Sequence, residues 1–207
     1  KILLKLTEPS SGSILFNGEN ISNYSNRKMR PLRKDMQIIF QDPYSSLNPN
    51  KKIGKAIMEP MKVHNICEND FQRKQETIQL LSKVGIEKDG FDKFPHEFSG
   101  GQRQRICIAR ALALRPKFIV CDESVSALDV SVQAEILNLL NSLRDQFGLT
   151  YLFISHDLSV VKYMSDRILV MNKGKIVERG LADDVFFNPQ KKYTQKLISS
   201  IPEGFMN

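Results

Sequence analysis

Three short apolar runs each stop abruptly at residues equipped for chemistry. Met36–Phe40 (MQIIF) stops at Gln41, Phe118–Cys121 (FIVC) at Asp122-Glu123, and Thr150–Ile154 (TYLFI) at Ser155-His156. Runs that are apolar throughout, without alternation, read as strands covered on both faces, the composition of a parallel sheet. Helical patterns separate them, so strand and helix alternate and the fold class is α/β. In such sheets ligands bind beyond the carboxyl ends of the strands. An amide, two neighbouring carboxylates and an imidazole are therefore expected along one rim.

The remaining pattern fills in around these runs. Lys1–Leu6 (KILLKL) reads as the end of an apolar helix, and Ser13–Phe16 as a strand closing at Asn17-Gly18, a favoured tight-turn pair. Tyr44–Asn50 reads as loop. From Ile53 to Val84 the pattern is helical, with Thr77, Ile78, Leu80, Leu81 and Val84 near one face, until Gly85, Gly90 and Pro95 break it up. Ser131–Phe147 is an amphipathic helix built on Val132, Ile136, Leu139, Leu140 and Leu143, with Gly148 as its stop. Ile168–Met171 and Lys175–Val177 flank Asn172-Lys173-Gly174, a hairpin signal.

The chain has 207 residues, enough for one domain or one domain with an insertion, and 41% of them are hydrophobic, so a packed core is expected. Thirty basic against 23 acidic residues leave a formal charge of +7. That charge could draw nucleic acid, phosphate or anionic lipid. It is scattered, however, as on an ordinary solvated surface, and bunches only at Arg27–Lys34 and Lys191-Lys192. Of the three cysteines, Cys107 and Cys121 sit in apolar runs as small buried hydrophobes, Cys67 stands apart, and none forms a CxxC pair. This usage suits a reducing, cytosolic compartment. No run approaches the ~20 apolar residues of a bilayer span, and no signal-peptide pattern is visible, so any membrane link is expected through a partner.

Three constellations carry chemistry, each with a plainer reading beside it. Asp122-Glu123 is either a strand running into a solvated turn or a magnesium-nucleotide pair. In the second reading the first carboxylate holds Mg²⁺ through water and the second orients or deprotonates an attacking water. Ser99-Gly100-Gly101-Gln102 carries a capping box that opens a helix over Gln102–Leu114. It is either an ordinary capped helix or an anion site, because two glycines leave the first amides uncovered at the positive end of the dipole. His156 is either a satisfied histidine or a phosphate contact at a strand end.

The run FSGGQRQRICIARALALRPKFIVCDESVSALDVS (Phe98 to Ser131) resembles the signature helix, Walker B strand and D-loop of ABC ATPases. The likeness keeps the family's motif order along essentially the whole chain. It implies a RecA-like P-loop NTPase core with a mainly parallel sheet over residues 1–48 and 106–207, and an inserted helical signature subdomain over 49–105. It also implies ATP and Mg²⁺ as cofactors. Ser99, Gly100, Gly101 and Gln102 would meet the γ-phosphate held by a partner subunit, and Asp129 would close the D-loop Ser126–Asp129 at the dimer seam. Asp122 and Glu123 would be the Walker B pair, the first for metal and the second as catalytic base. Gln41 would be the Q-loop glutamine sensing metal and water, and His156 the switch histidine. IIFQDPYSSLNP (Ile38–Pro49) and YTQKLISSIP (Tyr193–Pro202) look like the oligopeptide/dipeptide permease branch, with its nickel- and glutathione-importing relatives. The resemblance implies peripheral attachment at the cytoplasmic face of the membrane. The implied partners are a second ATPase subunit (like or unlike), transmembrane permease subunits and, indirectly, a solute-binding protein, but no nucleic acid. The alternatives are a soluble ABC ATPase acting on nucleic acid or ribosomes, and an inert fragment.

The sequence departs from that family in several places. No GxxxxGK[ST] phosphate-binding run occurs, and Lys1–Leu4 looks like the helix that follows it. The chain is thus expected to be truncated just after that loop and, alone, to bind ATP negligibly. Ser124 stands where the family usually has Pro, Gln190-Lys191-Lys192 replaces the more usual His-Pro before Tyr193, and the terminal iron–sulfur cysteine cluster of some relatives is missing.

Overall fold

Asn17 and Gly18 both adopt positive φ (50° and 81°), which makes the tight turn that their sequence predicts. The turn joins strand β1 (Leu15–Phe16) to antiparallel β2 (Glu19–Asn20), shorter than the run from Ser13 had indicated. The structure is a computed structural model that describes residues 1–200. It divides into two compact units, Lys1–Leu152 and Phe153–Asn207.

In the first unit, Ser25 caps helix α1 (Asn26–Leu32) and leads to β3 (Met36–Ile39). The backbone then makes a short helical turn α2 (Pro43–Ser46), where loop was expected. Asp42 caps that turn by accepting the Tyr44 N–H at 2.8 Å, and Pro43 sits at its first position, where a missing N–H costs nothing. The long helical pattern is two helices, α3 (Ile53–Val63) and α4 (Asp70–Lys83). Between them Asn65 and Cys67 take left-handed φ values of 53° and 61°. Buried Arg73 holds that connection, donating to the carbonyls of Ile66 (2.9 Å) and Cys67 (2.8 Å) and to Asp70 (2.8 Å).

Helix α5 (Gly100–Leu112) precedes β4 (Phe118–Asp122), and α6 (Val130–Phe147) follows it, stopped by Gly148 at φ 63° as expected. β4 pairs in parallel with β3, Met36 opposite Phe118 and Ile39 opposite Cys121. β5 (Thr150–Ile154) completes the order β3-β4-β5. The prediction of a parallel sheet therefore holds for β3 and β4. Double-sided burial does not extend to β5, whose residues are half-buried or exposed. Leu4, Ile21, Met29, Met36 and Val120 form a buried cluster against this sheet. The Lys1–Leu6 stretch contributes Leu4 to it as a single 3₁₀ turn over Ile2–Leu4 rather than as an α-helix end. That turn stops at Lys5, left-handed at φ 52°, whose buried ammonium is held by the Ser22 carbonyl at 2.6 Å and by Glu8.

The second unit holds α7 (Leu158–Met164), the hairpin β6 (Arg167–Asn172) and β7 (Lys175–Leu181), then α8 (Ala182–Phe187) and α9 (Lys192–Ile198). The hairpin turn uses Lys173 and Gly174 at φ 47° and 75°, the Asn-Lys-Gly signal read from sequence. Ile168, Val170, Ala182 and Val185 form its core. The Glu178 carboxylate accepts the N–H groups of Gln190 (2.7 Å) and Lys191 (3.2 Å), pinning the chain before α9. The last two residues of the Tyr193–Pro202 stretch, and residues 201–207 of the expected core segment, lie outside the described residues.

Candidate nucleotide site

The register that sets Ile39 against Cys121 brings the ends of β3 and β4 level, so Gln41 and Asp122-Glu123 leave the sheet side by side. A hydrogen bond closes the gap. Gln41 Nε2 donates to Ser126 Oγ at 3.2 Å, and that hydroxyl donates to the Glu123 carbonyl at 2.9 Å. Glu123 itself has φ 50°, a left-handed conformation unusual for a non-glycine residue and frequent at functional turns. Ser126 and Leu128 N–H groups complete two successive turns onto the carbonyls of Glu123 (3.1 Å) and Val125 (3.2 Å).

From that loop the chain enters α6 through Asp129, which accepts the Val132 N–H at 3.0 Å and the Ser131 hydroxyl at 2.8 Å. The Val132 amide, chiefly, holds the Asp129 carboxyl below the usual aspartate range. Asp42, at the other edge of the site, is likewise lowered, first by the Tyr44 amide.

Ser99–Gln102 forms the expected capping box: Ser99 Oγ accepts the Gln102 N–H at 3.2 Å, and Gln102 Oε1 accepts the Ser99 N–H at 2.9 Å. The helix start lies against the 126–132 segment. A Cβ on Gly101 would stand 2.5 Å from Val132 Cγ1, so Gly101 is a glycine because α5 and α6 meet there. Among the described residues a Cβ on Gly100 would meet Leu128 alone, at 4.0 Å, so none of them demands the bareness of that position. Further along α5, Arg110 donates to the Ser46 carbonyl, Cys107 Sγ lies 3.8 Å from the Pro43 carbonyl, and Arg103 covers the Tyr44 ring at 5.2 Å. The segment after Gln41 thus rides on the helix that Ser99–Gln102 opens.

Gln41, Asp122, Glu123, Asp129 and Ser99–Gln102 therefore belong to one neighbourhood of the first unit. His156 belongs to the second unit, exposed in the turn between β5 and α7. There Asp157 caps α7 by accepting the Ser159 and Val160 amides (2.9 and 3.3 Å). A residue that sequence reasoning missed is Gln104. It is 1% exposed and donates from Nε2 to the Ser124 carbonyl at 2.6 Å. The available signal was its place on the otherwise apolar stripe Gln104, Cys107, Ile108, Ala111.

The donor set fits a hydrated magnesium ion. Among the described residues no group of three or more His, Cys, Asp or Glu side chains could hold a metal. A lone carboxylate pair beside a carboxamide is what Mg²⁺ accepts when phosphate oxygens and water supply its other ligands. All three cysteines are free. Burial pushes the Cys107 thiol up to about 11 and the Cys121 thiol to about 12, which removes both from nucleophilic chemistry. Among the described residues no helix is long and apolar enough to cross a membrane.

Residues 1–126 match the family model described as ABC transporter. The chain is 51% identical over 202 residues to the glutathione import ATP-binding protein GsiA of Pectobacterium atrosepticum, covering 98% of this chain and 32% of that protein. It is 50% identical to the oligopeptide transport ATP-binding protein OppF of Bacillus subtilis (97% of this chain, 66% of that one) and 52% identical to that of Streptococcus mutans (98% and 66%). The chain thus spans about a third of the length of the first relative and about two thirds of the others. Among solved structures, cbiO1 of Clostridium perfringens, part of the ABC transporter complex cbiONQ, superimposes with a TM-score of 0.79. Its sequence identity is 28%, over 99% of this chain and 78% of that one. A dimeric ATP-binding cassette in a post-hydrolysis state bound to ADP and phosphate gives 0.76 at 25% identity, over 87% and 78%.

Proposed function

The chain belongs to the ABC transporter family, with the α/β fold of its ATPases, and on that premise we propose that it is part of an ATP-hydrolysing subunit that drives import of oligopeptides or dipeptides. The observation that carries this reading is the Gln41–Ser126–Glu123 hydrogen-bond chain at the adjoining ends of two parallel strands. It sets a carboxamide and a carboxylate pair where an α/β sheet takes its ligand. The solute class rests on relatives named for glutathione and oligopeptide transport.

Bound magnesium would neutralise phosphate charge at this rim. Asp122 is assigned to the metal's water shell, Gln41 to metal and attacking water, and Glu123 to accepting the proton from that water. Ser99, Gly100 and Gly101, at the open head of α5, are assigned to the terminal phosphate held by a second ATPase subunit, like or unlike. The bareness of Gly100, which no contact among the described residues requires, supports such an approach from outside. Gln102 holds that head in shape, and Asp129 holds the loop beside it. His156 is assigned a terminal-phosphate contact from its position after β5. The helical subdomain is assigned to 49–105 between core segments 1–48 and 106–207. Transmembrane permease subunits are its proposed partners and hold it at the cytoplasmic face of the membrane, a solute-binding protein acting indirectly.

The test is Glu123→Gln in the subunit as its gene encodes it, assembled with its permease in liposomes. ATP binding is expected to persist while hydrolysis and peptide uptake fall by about 10²-fold or more, the ordinary worth of a general base. Hydrolysis within threefold of the parent would overturn the assignment.

A further inference from the structure

We infer that Gln104 is a positioning residue for hydrolysis: its buried amide fixes the Glu123–Ser124 turn to the helix that Ser99–Gln102 opens. The inference rests on the functional reading above and adds a residue to it.

Gln104 lies on the buried stripe of α5 with Cys107, Ile108 and Ala111, where an apolar side chain would pack without polar cost. It places a carboxamide there and satisfies only half of it. Nε2 reaches the buried Ser124 carbonyl at 2.6 Å, whereas Oε1 has no partner among the described residues. A buried polar atom left unpaired keeps its desolvation penalty, so the arrangement is poor as mere core packing. What it achieves is a link across 20 residues of sequence between the head of α5 and the turn that carries Glu123.

The turn is closed by its own bonds from the Ser126 N–H and hydroxyl to the Glu123 carbonyl. Glu123 is in the left-handed region, and two of the turn's anchors, Ser126 and through it Gln41, lie on the exposed side. Gln104 grips it from beneath. The backbone bond it makes is adjacent to the residue assigned as base, so displacement of α5 would be felt at Glu123 through one carbonyl. Gln104 touches no substrate in this arrangement and acts only through the turn.

Two measurements on Gln104→Met, which keeps the side-chain volume and removes the donor, test this. In the full subunit, amide hydrogen exchange at Ser126 and Leu128 is expected to quicken at least tenfold while α3 and α6 amides stay as in the parent. A general loss of stability would quicken them all. In the full subunit assembled with its permease, kcat is expected to fall about 10²-fold, the effect of an ångström-scale misplacement, with KM within twofold. Glu123→Gln is the reference. If it is inactive and Gln104→Met hydrolyses ATP within twofold of the parent, this inference fails and the functional reading stands. If Glu123→Gln is active, the functional reading fails first. Unchanged exchange at Ser126 and Leu128 also overturns the inference. Should Gln104→Met fail to fold, Gln104→Glu keeps the shape, sets a carboxylate against the Ser124 carbonyl, and is expected to give the same two signatures.

Discussion

Substituting alanine separately at the two glycines that open α5 separates packing from function. At Gly101 the new Cβ would stand 2.5 Å from Val132 Cγ1, against an ordinary carbon–carbon separation of about 3.5–4.0 Å. Valine has little rotamer freedom within a helix, so the clash cannot be relieved by turning the side chain, and α5 must move away from α6. Overpacking of this kind costs about 1–3 kcal/mol, and the gain from replacing a helical glycine by alanine returns about 0.5–1. The net expectation for Gly101→Ala is a loss of about 1–2 kcal/mol. At Gly100 the new Cβ finds only Leu128, at 4.0 Å, so the propensity gain is unopposed and stability is expected to hold or rise by up to about 0.5 kcal/mol. The chain has no tryptophan, so urea unfolding is best followed by far-UV circular dichroism. Thermal midpoints are expected to differ between the variants by about 2–10 °C, at about 2–4 °C per kcal/mol for a chain of this size. Equal effects at the two positions, or a larger loss at Gly100, would refute the packing account and with it the case that Gly100 is kept bare for something outside the chain.

Alkaline titration reports on the buried thiols. Their folded values, about 11 for Cys107 and about 12 for Cys121, lie above the unfolded value of about 8.5. Above that point the unfolded chain binds fewer protons than the folded one, so this contribution is fully present below about pH 8.5 and is lost as pH rises toward the folded values. Stability is expected to fall by about 2 kcal/mol per thiol between pH 8 and 10, and Cys121→Ala should remove about half of that fall; an unaltered slope in the variant would contradict the burial argument. Arg73→Met, which strips the Ile66 and Cys67 carbonyls of their charged donor, is expected to cost about 2–4 kcal/mol by urea denaturation. Lysine there should recover little, since one ammonium cannot reproduce the guanidinium's separate bonds; a variant within 0.5 kcal/mol of the parent would sink this account.

Elements whose signals are local were legible in the sequence. The Asn17-Gly18 and Lys173-Gly174 turns, the Ser99 capping box and the Gly148 stop each depend on two to four consecutive residues, and each formed as read. The division of α3 from α4 was not read. Helical periodicity runs through His64–Asn69, and the break is held by Arg73, a side chain from the following helix. The α2 turn was also not read, although Asp42-Pro43 is a local start signal; at four residues it is further held by Arg110 and Cys107 of α5, more than 60 residues away. Within the site, strand-end placement made Gln41 and Glu123 neighbours on paper, and the β3–β4 register made them so in space. Gln104 escaped notice because a single polar residue on an apolar stripe has no motif, only a partner that must be seen.

The contacts along α5 recur at helical intervals: Gln104 to the Glu123–Ser124 turn, Cys107 and Arg110 to α2, with Gly101 against Val132 one turn earlier. Adding or deleting one residue in a helix swings everything beyond it by about 100°, because 3.6 residues make a turn. A single-codon insertion in α5 would therefore unseat the contacts beyond it together. The same insertion at the exposed Asn17-Gly18 turn would disturb only a two-residue ribbon. Length change should be far better tolerated among descendants of this gene at that turn than anywhere between Gly100 and Leu112.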